Sequence, residues 1–152
     1  MRFAIDSNIL VYAFDREAGT RHVTAKGILI RALRADCVIP TQAVGEFLNV
    51  VRRKRTSLTG DAIDQARHWS LLVPTIDTAP DQLFAAMTMA HRHKLQFWDC
   101  VIWQVGMAAG AELFLSEDMQ DGFTHGGMHV MNPFLPHNST RLDLVLAESD
   151  AE

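Results

Sequence analysis

Phe3-Ala4-Ile5-Asp6-Ser7-Asn8-Ile9-Leu10 places a carboxylate and two small polar residues between two apolar runs. A short charge-free run that stops at Asp-Ser-Asn reads as a buried strand turning directly into a helix. That helical stretch continues to about Ala35 and is broken near Gly19. The alternation then repeats. Val38-Ile39 before Pro40 reads as a second strand, and Thr41 as the cap of a helix to about Arg55 with Val44, Phe47, Leu48 and Val51 on one stripe. Asp61 to Leu71 is a further helix, Val73 to Ile76 a third strand, and Thr78 with Pro80 begins a helix through His93. Asp99 opens a helix that is apolar on nearly every side, and Leu113-Phe114-Leu115 and His129-Val130-Met131 are the last strands. Short apolar strands between long helices predict an α/β fold in three layers, a short parallel sheet with helices on both faces. Ligands of such sheets bind at the carboxyl ends of the strands, where Asp6 and Asp118 stand.

At 152 residues and 48% hydrophobic content the chain fits one compact domain. Cys37 and Cys100 match neither a disulfide framework nor a zinc site and read as small buried hydrophobes, which suggests a reducing cytoplasm. Asp6 interrupts the first apolar run and spoils a signal peptide, and Cys100 to Ala111 is too short to span a bilayer, so no membrane role is expected. The net charge of −4 argues against broad nonspecific attraction to nucleic acid, although a local basic face stays compatible with it.

Asp6, Glu46, Asp99 and Asp118 sit beside apolar sequence with no Lys or Arg within three residues of any of them. A carboxylate in apolar surroundings is costly unless a cation or hydrogen bonds compensate it, and a metal ion is the simplest shared partner. Each acid also has a structural explanation. Asp6, Asp99 and Asp118 suit helix caps or turns, and Glu46 points away from the apolar stripe of its helix, as a solvated residue would, with Asn49 and Arg53 beside it.

The order and spacing of these acids resemble a PIN-domain ribonuclease, more narrowly a toxin of the VapC kind from toxin–antitoxin pairs. The resemblance runs from Phe3 to about Phe134. It rests on the opening segment, on Gln42-Ala43-Val44-Gly45-Glu46-Phe47, on Trp98-Asp99-Cys100-Val101-Ile102, on Leu115-Ser116-Glu117-Asp118-Met119-Gln120-Asp121-Gly122 and on Val130-Met131-Asn132-Pro133-Phe134. Cys100 stands where a small residue such as Ala is usual, and the tail is longer than the pattern needs. The resemblance implies a PIN-like (Rossmann-like) domain over 1–134 with an extension over 135–152 that is not a separate domain. It further implies that Asp6, Glu46, Asp99 and Asp118 are catalytic and ligate Mg²⁺ or Mn²⁺, supported by Asn8, Ser116 and an additional acid at Asp121. The implied activity is metal-dependent hydrolysis of RNA by a homodimer that a cognate antitoxin inhibits.

Arg52, Arg53 and Arg55 end a helix, where cations meet its dipole; with Arg21, His22, Lys26, Arg31 and Arg34 they are also candidates for an RNA-binding rim. Phe97 and Trp98 read as core packing, with base stacking as the alternative. The histidines match no zinc spacing. Two other functions compete. A haloacid-dehalogenase-like phosphatase would use Asp6 as nucleophile but wants an acid where Asn8 stands, and a non-catalytic RNA- or partner-binding module has no use for four mutually repelling acids.

Overall fold

The computed structural model describes residues 1–147; the end of the anticipated extension, 148–152, lies outside the described residues. The elements in chain order are β1 (Phe3–Ile5), α1 (Ser7–Phe14), α2 (Thr20–Ala32), β2 (Cys37–Pro40), α3 (Thr41–Lys54), α4 (Thr59–Leu72), β3 (Thr75–Ile76), α5 (Pro80–His93), α6 (Phe97–Ala108), β4 (Leu113–Leu115), β5 (Thr124–His125), β6 (Met128–Met131) and α7 (Ser139–Ala147). The strands form one sheet in the order β3-β2-β1-β4-β6-β5. All pairings are parallel except β5 with β6. This is the expected α/β architecture, a central parallel sheet flanked by helices.

From β1 the chain steps outward to β2 and β3, then returns to lay β4 on the opposite side of β1. Strand order therefore reverses between β1 and β4, and a crevice opens at such a switch point beyond the strand ends. Both strands are fully buried, which accounts for their charge-free sequences. Helix α6 lies over this centre, with Cys100 through Gly106 buried. A Cβ on Gly106 would come within 2.9 Å of the Ala4 Cβ, so glycine is what lets α6 rest against β1.

Two helix starts differ from expectation. Thr41 is the first residue of α3 rather than its cap, and its hydroxyl donates to the Asp77 carboxylate at 2.8 Å. Helix α6 begins at Phe97 and is capped by Gln96, whose side-chain oxygen accepts from the Asp99 amide at 3.0 Å. Asp99 thus lies in the first turn, and capping does not explain it. The β5–β6 hairpin was not anticipated; its two-residue turn, Gly126-Gly127, has φ of 61° and 85°, the left-handed pair that a type I′ turn requires. The polar tail contains α7, which buries Leu142, Val145 and Leu146 and ties to α2 through Arg31 and Asp143 at 2.8 Å.

Candidate metal centre

The pairing of β1 with β4 aligns Ile5 with Leu115, so the next residues, Asp6 and Ser116, emerge side by side. The Asp6 amide donates to the Leu115 carbonyl at 3.0 Å, and the Ser116 hydroxyl donates to Asp6 Oδ2 at 2.7 Å. Asp6 is completely buried and also caps α1, its Oδ1 accepting from the Ser7 amide at 2.7 Å. Asn8 sits one residue further along α1. Its Nδ2 reaches Asp6 Oδ2 and Asp118 Oδ2, each at 3.2 Å, while its Oδ1 accepts from the Glu117 amide at 3.2 Å. Ser116 Oγ in turn accepts from the Asp118 amide at 3.2 Å, which fixes the loop after β4 against the end of β1.

Two helices bring the other acids. Glu46, on α3, accepts from the Ser7 hydroxyl at 2.9 Å and is half-buried, so the face of α3 opposite the apolar stripe is turned to the crevice and not to bulk solvent. Asp99 enters from the first turn of α6. One carboxylate oxygen from each of Asp6, Glu46 and Asp99 lies within 4.8 Å of the others. Asp118 is exposed at the rim of this group and joins it through Asn8.

Burial pushes the Asp6 carboxyl up to about 7; the Ser116 and Ser7 hydrogen bonds offset part of the rise, and the charges of Asp99 and Asp118 add to it. Burial likewise raises Asp99 to about 6, reinforced by Glu46 and Asp118. Among the described residues no Lys or Arg forms an ion pair with any of the four; Arg2, Arg21, Arg31 and Arg55 are paired elsewhere. Carboxylates held this close by neutral donors repel one another and lack a countercharge. An all-oxygen, anionic donor set of this kind fits a hard divalent cation such as Mg²⁺ or Mn²⁺.

The remaining expected residues are placed differently. Asp121 accepts from the Asn132 amide at 2.8 Å, Asn138 Nδ2 at 2.9 Å and His137 at 3.3 Å. Burial would raise its carboxyl, but these bonds outweigh it and hold it low; Asp121 fastens the segment leading into α7. Arg55 is engaged by Glu17 at 2.6 Å and Asp15 at 3.5 Å, and Arg52 by Asn49 at 3.2 Å, while Arg53 is exposed near the end of α3. Trp98 is 45% exposed and leans on Phe97, correcting its assignment to the core. Met89 is buried whereas Met87 is not.

Sequence reasoning missed Ser7, whose hydroxyl orients Glu46, and Glu117, whose carboxylate anchors Arg21 at 2.8 Å and meets the Tyr12 hydroxyl at 3.4 Å. Adjacency to Asp6 and Asp118 was the available signal for both.

A family model described as PIN domain matches residues 3–123. Among solved structures the chain is similar to VapC20 of Mycobacterium tuberculosis, described as a sarcin–ricin loop cleaving toxin, with 17% identity, a TM-score of 0.63, and coverage of 74% of this chain and 86% of that one. It is also similar to VapBC2 of Rickettsia felis bound to a DNA fragment from its promoter, with 16% identity, a TM-score of 0.62, and coverage of 87% of this chain and 98% of that one. At these identities the likeness is one of fold. No curated protein matches the chain. The acids gathered at the β1/β4 switch point thus occupy the crevice of a chain that belongs to the PIN-domain family.

Proposed function

We propose that this protein is a metal-dependent endoribonuclease, a toxin of the VapC kind that acts in the cytoplasm on RNA and is held in check by a cognate antitoxin. The observation that carries the reading is the convergence of Asp6, Glu46 and Asp99 within 4.8 Å, with no Lys or Arg ion-paired to them among the described residues. Asp6, Glu46, Asp99 and the rim residue Asp118 would hold Mg²⁺ or Mn²⁺. Bound there, such an ion would supply an acidified water and positive charge for the oxygen leaving phosphorus. The chain's own residues orient the donors: Ser116, Asn8 and the Ser7 amide fix Asp6, the Ser7 hydroxyl fixes Glu46, and Asn8 ties Asp118 to Asp6. Arg52 and Arg53 are assigned to the RNA-facing surface. Asn8 is committed to bridging Asp6, Asp118 and the Glu117 amide, which leaves no general acid there for phosphatase chemistry.

The purified protein is expected to cleave RNA with Mg²⁺ or Mn²⁺ and to stop when EDTA is added, as followed by gel electrophoresis. Cleavage that persists in EDTA would sink the metal-dependent assignment. Two protein contacts belong to the proposal. An open cleft of about 730 Å³, lined by Val11, Phe14, Val51 and Leu58 together with Lys54 and Asp64, suits an amphipathic helix of an antitoxin. The protein encoded beside this chain is expected to copurify with it and relieve growth arrest, and failure of both rules the antitoxin out. For the homodimer, Phe84 and Met87 lie one turn apart on α5 at 70% and 54% exposure, a face suited to a second copy. Light scattering is expected to give a dimer mass for the wild type and a monomer mass for Phe84→Glu; a monomeric wild type removes the dimer from the proposal.

A further inference from the structure

Arg21 is a half-exposed cation anchored on Glu117, within the loop that carries Ser116 and Asp118. Its Nε donates to Glu117 Oε2 at 2.8 Å, with the Arg21 side chain 48% exposed. Its guanidinium carbon lies 5.8 Å from the ring centres of both Tyr12 and Phe134, which meet edge to face at 5.2 Å. Tyr12 also contacts Glu117, at 3.4 Å. Glu117 stands between Ser116, which bonds Asp6, and Asp118, which bonds Asn8, and its own amide bonds Asn8. The guanidinium is therefore built into the same loop that carries the rim of the metal centre.

Its chemistry suits a phosphate. The Nε edge is committed to Glu117 and the guanidinium also meets the Tyr12 side chain, which leaves further N–H groups of the five-donor fork for another partner. A planar fork held on one edge by a carboxylate and on its face by aromatic rings presents its remaining donors in a fixed direction, as recognition of a phosphate requires. The basic end of α3 is less well placed. Arg52 and Arg53 follow Glu46 by six and seven residues, roughly 10 Å along the helix axis, and Arg55 is already shared by Asp15 and Glu17.

We propose that Arg21 is a substrate-positioning residue that binds a backbone phosphate of RNA next to the one cleaved, with Glu117, Tyr12 and Phe134 setting its orientation. The proposal rests on the ribonuclease reading and adds the residue that registers the strand over the metal centre.

The test measures binding apart from cleavage. The Asp99→Asn protein, with no divalent metal present, is titrated into a fluorescent single-stranded RNA at several salt concentrations. Adding Arg21→Ala is expected to weaken binding about tenfold and to reduce the slope of log K against log salt by roughly 0.7, the loss of one phosphate contact. Arg21→Lys is expected to retain the slope but not the affinity, because the charge stays and the fork is lost. Arg67→Ala removes the same charge from the exposed side of α4, a helix that supplies no residue to the acidic group, and is expected to change neither quantity appreciably. In the metal-loaded wild-type background, Arg21→Ala raises KM with a smaller change in kcat. RNA binding with the affinity and slope unaltered by Arg21→Ala overturns this proposal alone. A parent protein that binds no RNA, together with a wild type that cleaves none, overturns the ribonuclease reading as well.

Discussion

Asp99→Asn is expected to lower RNA cleavage by about a thousandfold or more while the metal-free protein melts at the same temperature or higher. Asp99 is the cleanest of the four positions because its carboxylate makes no hydrogen bond to the chain among the described residues; the cap of α6 is supplied by Gln96. Asn loses the favourable meeting of a negative charge with a helix N-terminus, roughly 0.3–1 kcal/mol. Against that, it removes a carboxylate whose ionisation burial, Glu46 and Asp118 all oppose. The two effects nearly cancel in the absence of metal, whereas the ion loses a charged ligand outright. Glu46→Gln should behave alike, since the amide oxygen can still accept from the Ser7 hydroxyl. Asp6→Asn is less innocent: Oδ2 receives both Ser116 and Asn8, and an amide nitrogen placed there would face the Asn8 donor. Some loss of stability is expected at that position in addition to lost cleavage. Calorimetry beside a cleavage assay separates the cases. Wild-type cleavage in three or more of the variants Asp6→Asn, Glu46→Gln, Asp99→Asn and Asp118→Asn would remove these acids from the chemistry, and variants that simply unfold would return them to a structural role.

The ambiguity that these variants resolve was already present in the sequence. Asp followed by small polar residues after an apolar run is what a cap and a ligand have in common, and Asp6 serves as a cap while also lying in the acidic group. The strands themselves were legible because both faces of a parallel sheet are covered, which leaves charge-free runs at Phe3–Ile5, Cys37–Pro40 and Leu113–Leu115. Their order was not. Asp6 and Ser116 meet because β1 and β4 pair in register, a contact across 110 positions to which local pattern is blind. For Glu46 the helical wheel gave a direction relative to its own apolar stripe, without showing that the opposite side faces Ser7 instead of water. Helix α7 did carry a signal, apolar Leu142, Val145 and Leu146 at helical spacing, but nearby polar residues masked it and α2, its partner, is distant in sequence. The β5 strand has only two residues, too short for any period to show.

Without metal, the protein is expected to become more stable as pH falls from about 8 to about 5, and Mg²⁺ is expected to reverse that trend. Asp6 holds its proton up to about 7 in the folded chain against an ordinary value of 3.8, and Asp99 up to about 6. Between those limits the folded protein binds more protons than the unfolded chain, so this contribution is complete below about 4 and is lost as pH rises through 6 to 7. For Asp6 alone the span from pH 8 to 5 is worth about 3 kcal/mol, which at this chain length moves the melting temperature by roughly 6–12 °C. His125 and His129 act in the opposite sense, since burial holds both below the ordinary histidine value and they lose stability on protonation. Asp121 loses its stabilising bonds only in stronger acid, because its carboxyl is held low. The contribution of the acidic group is therefore read as a difference, wild type minus Asp6→Asn, measured at each pH by calorimetry in EDTA. Wild type should gain on the variant as pH falls. A divalent ion competes with those protons, so Mg²⁺ should raise the wild-type melting temperature most near pH 8 and least near pH 5, while Asp6→Asn shows little response. Equal Mg²⁺ stabilisation of the two proteins at every pH would place the ion elsewhere, and a pH-independent difference in EDTA would mean that Asp6 is ionised in the folded chain and neutralised by a partner other than a metal.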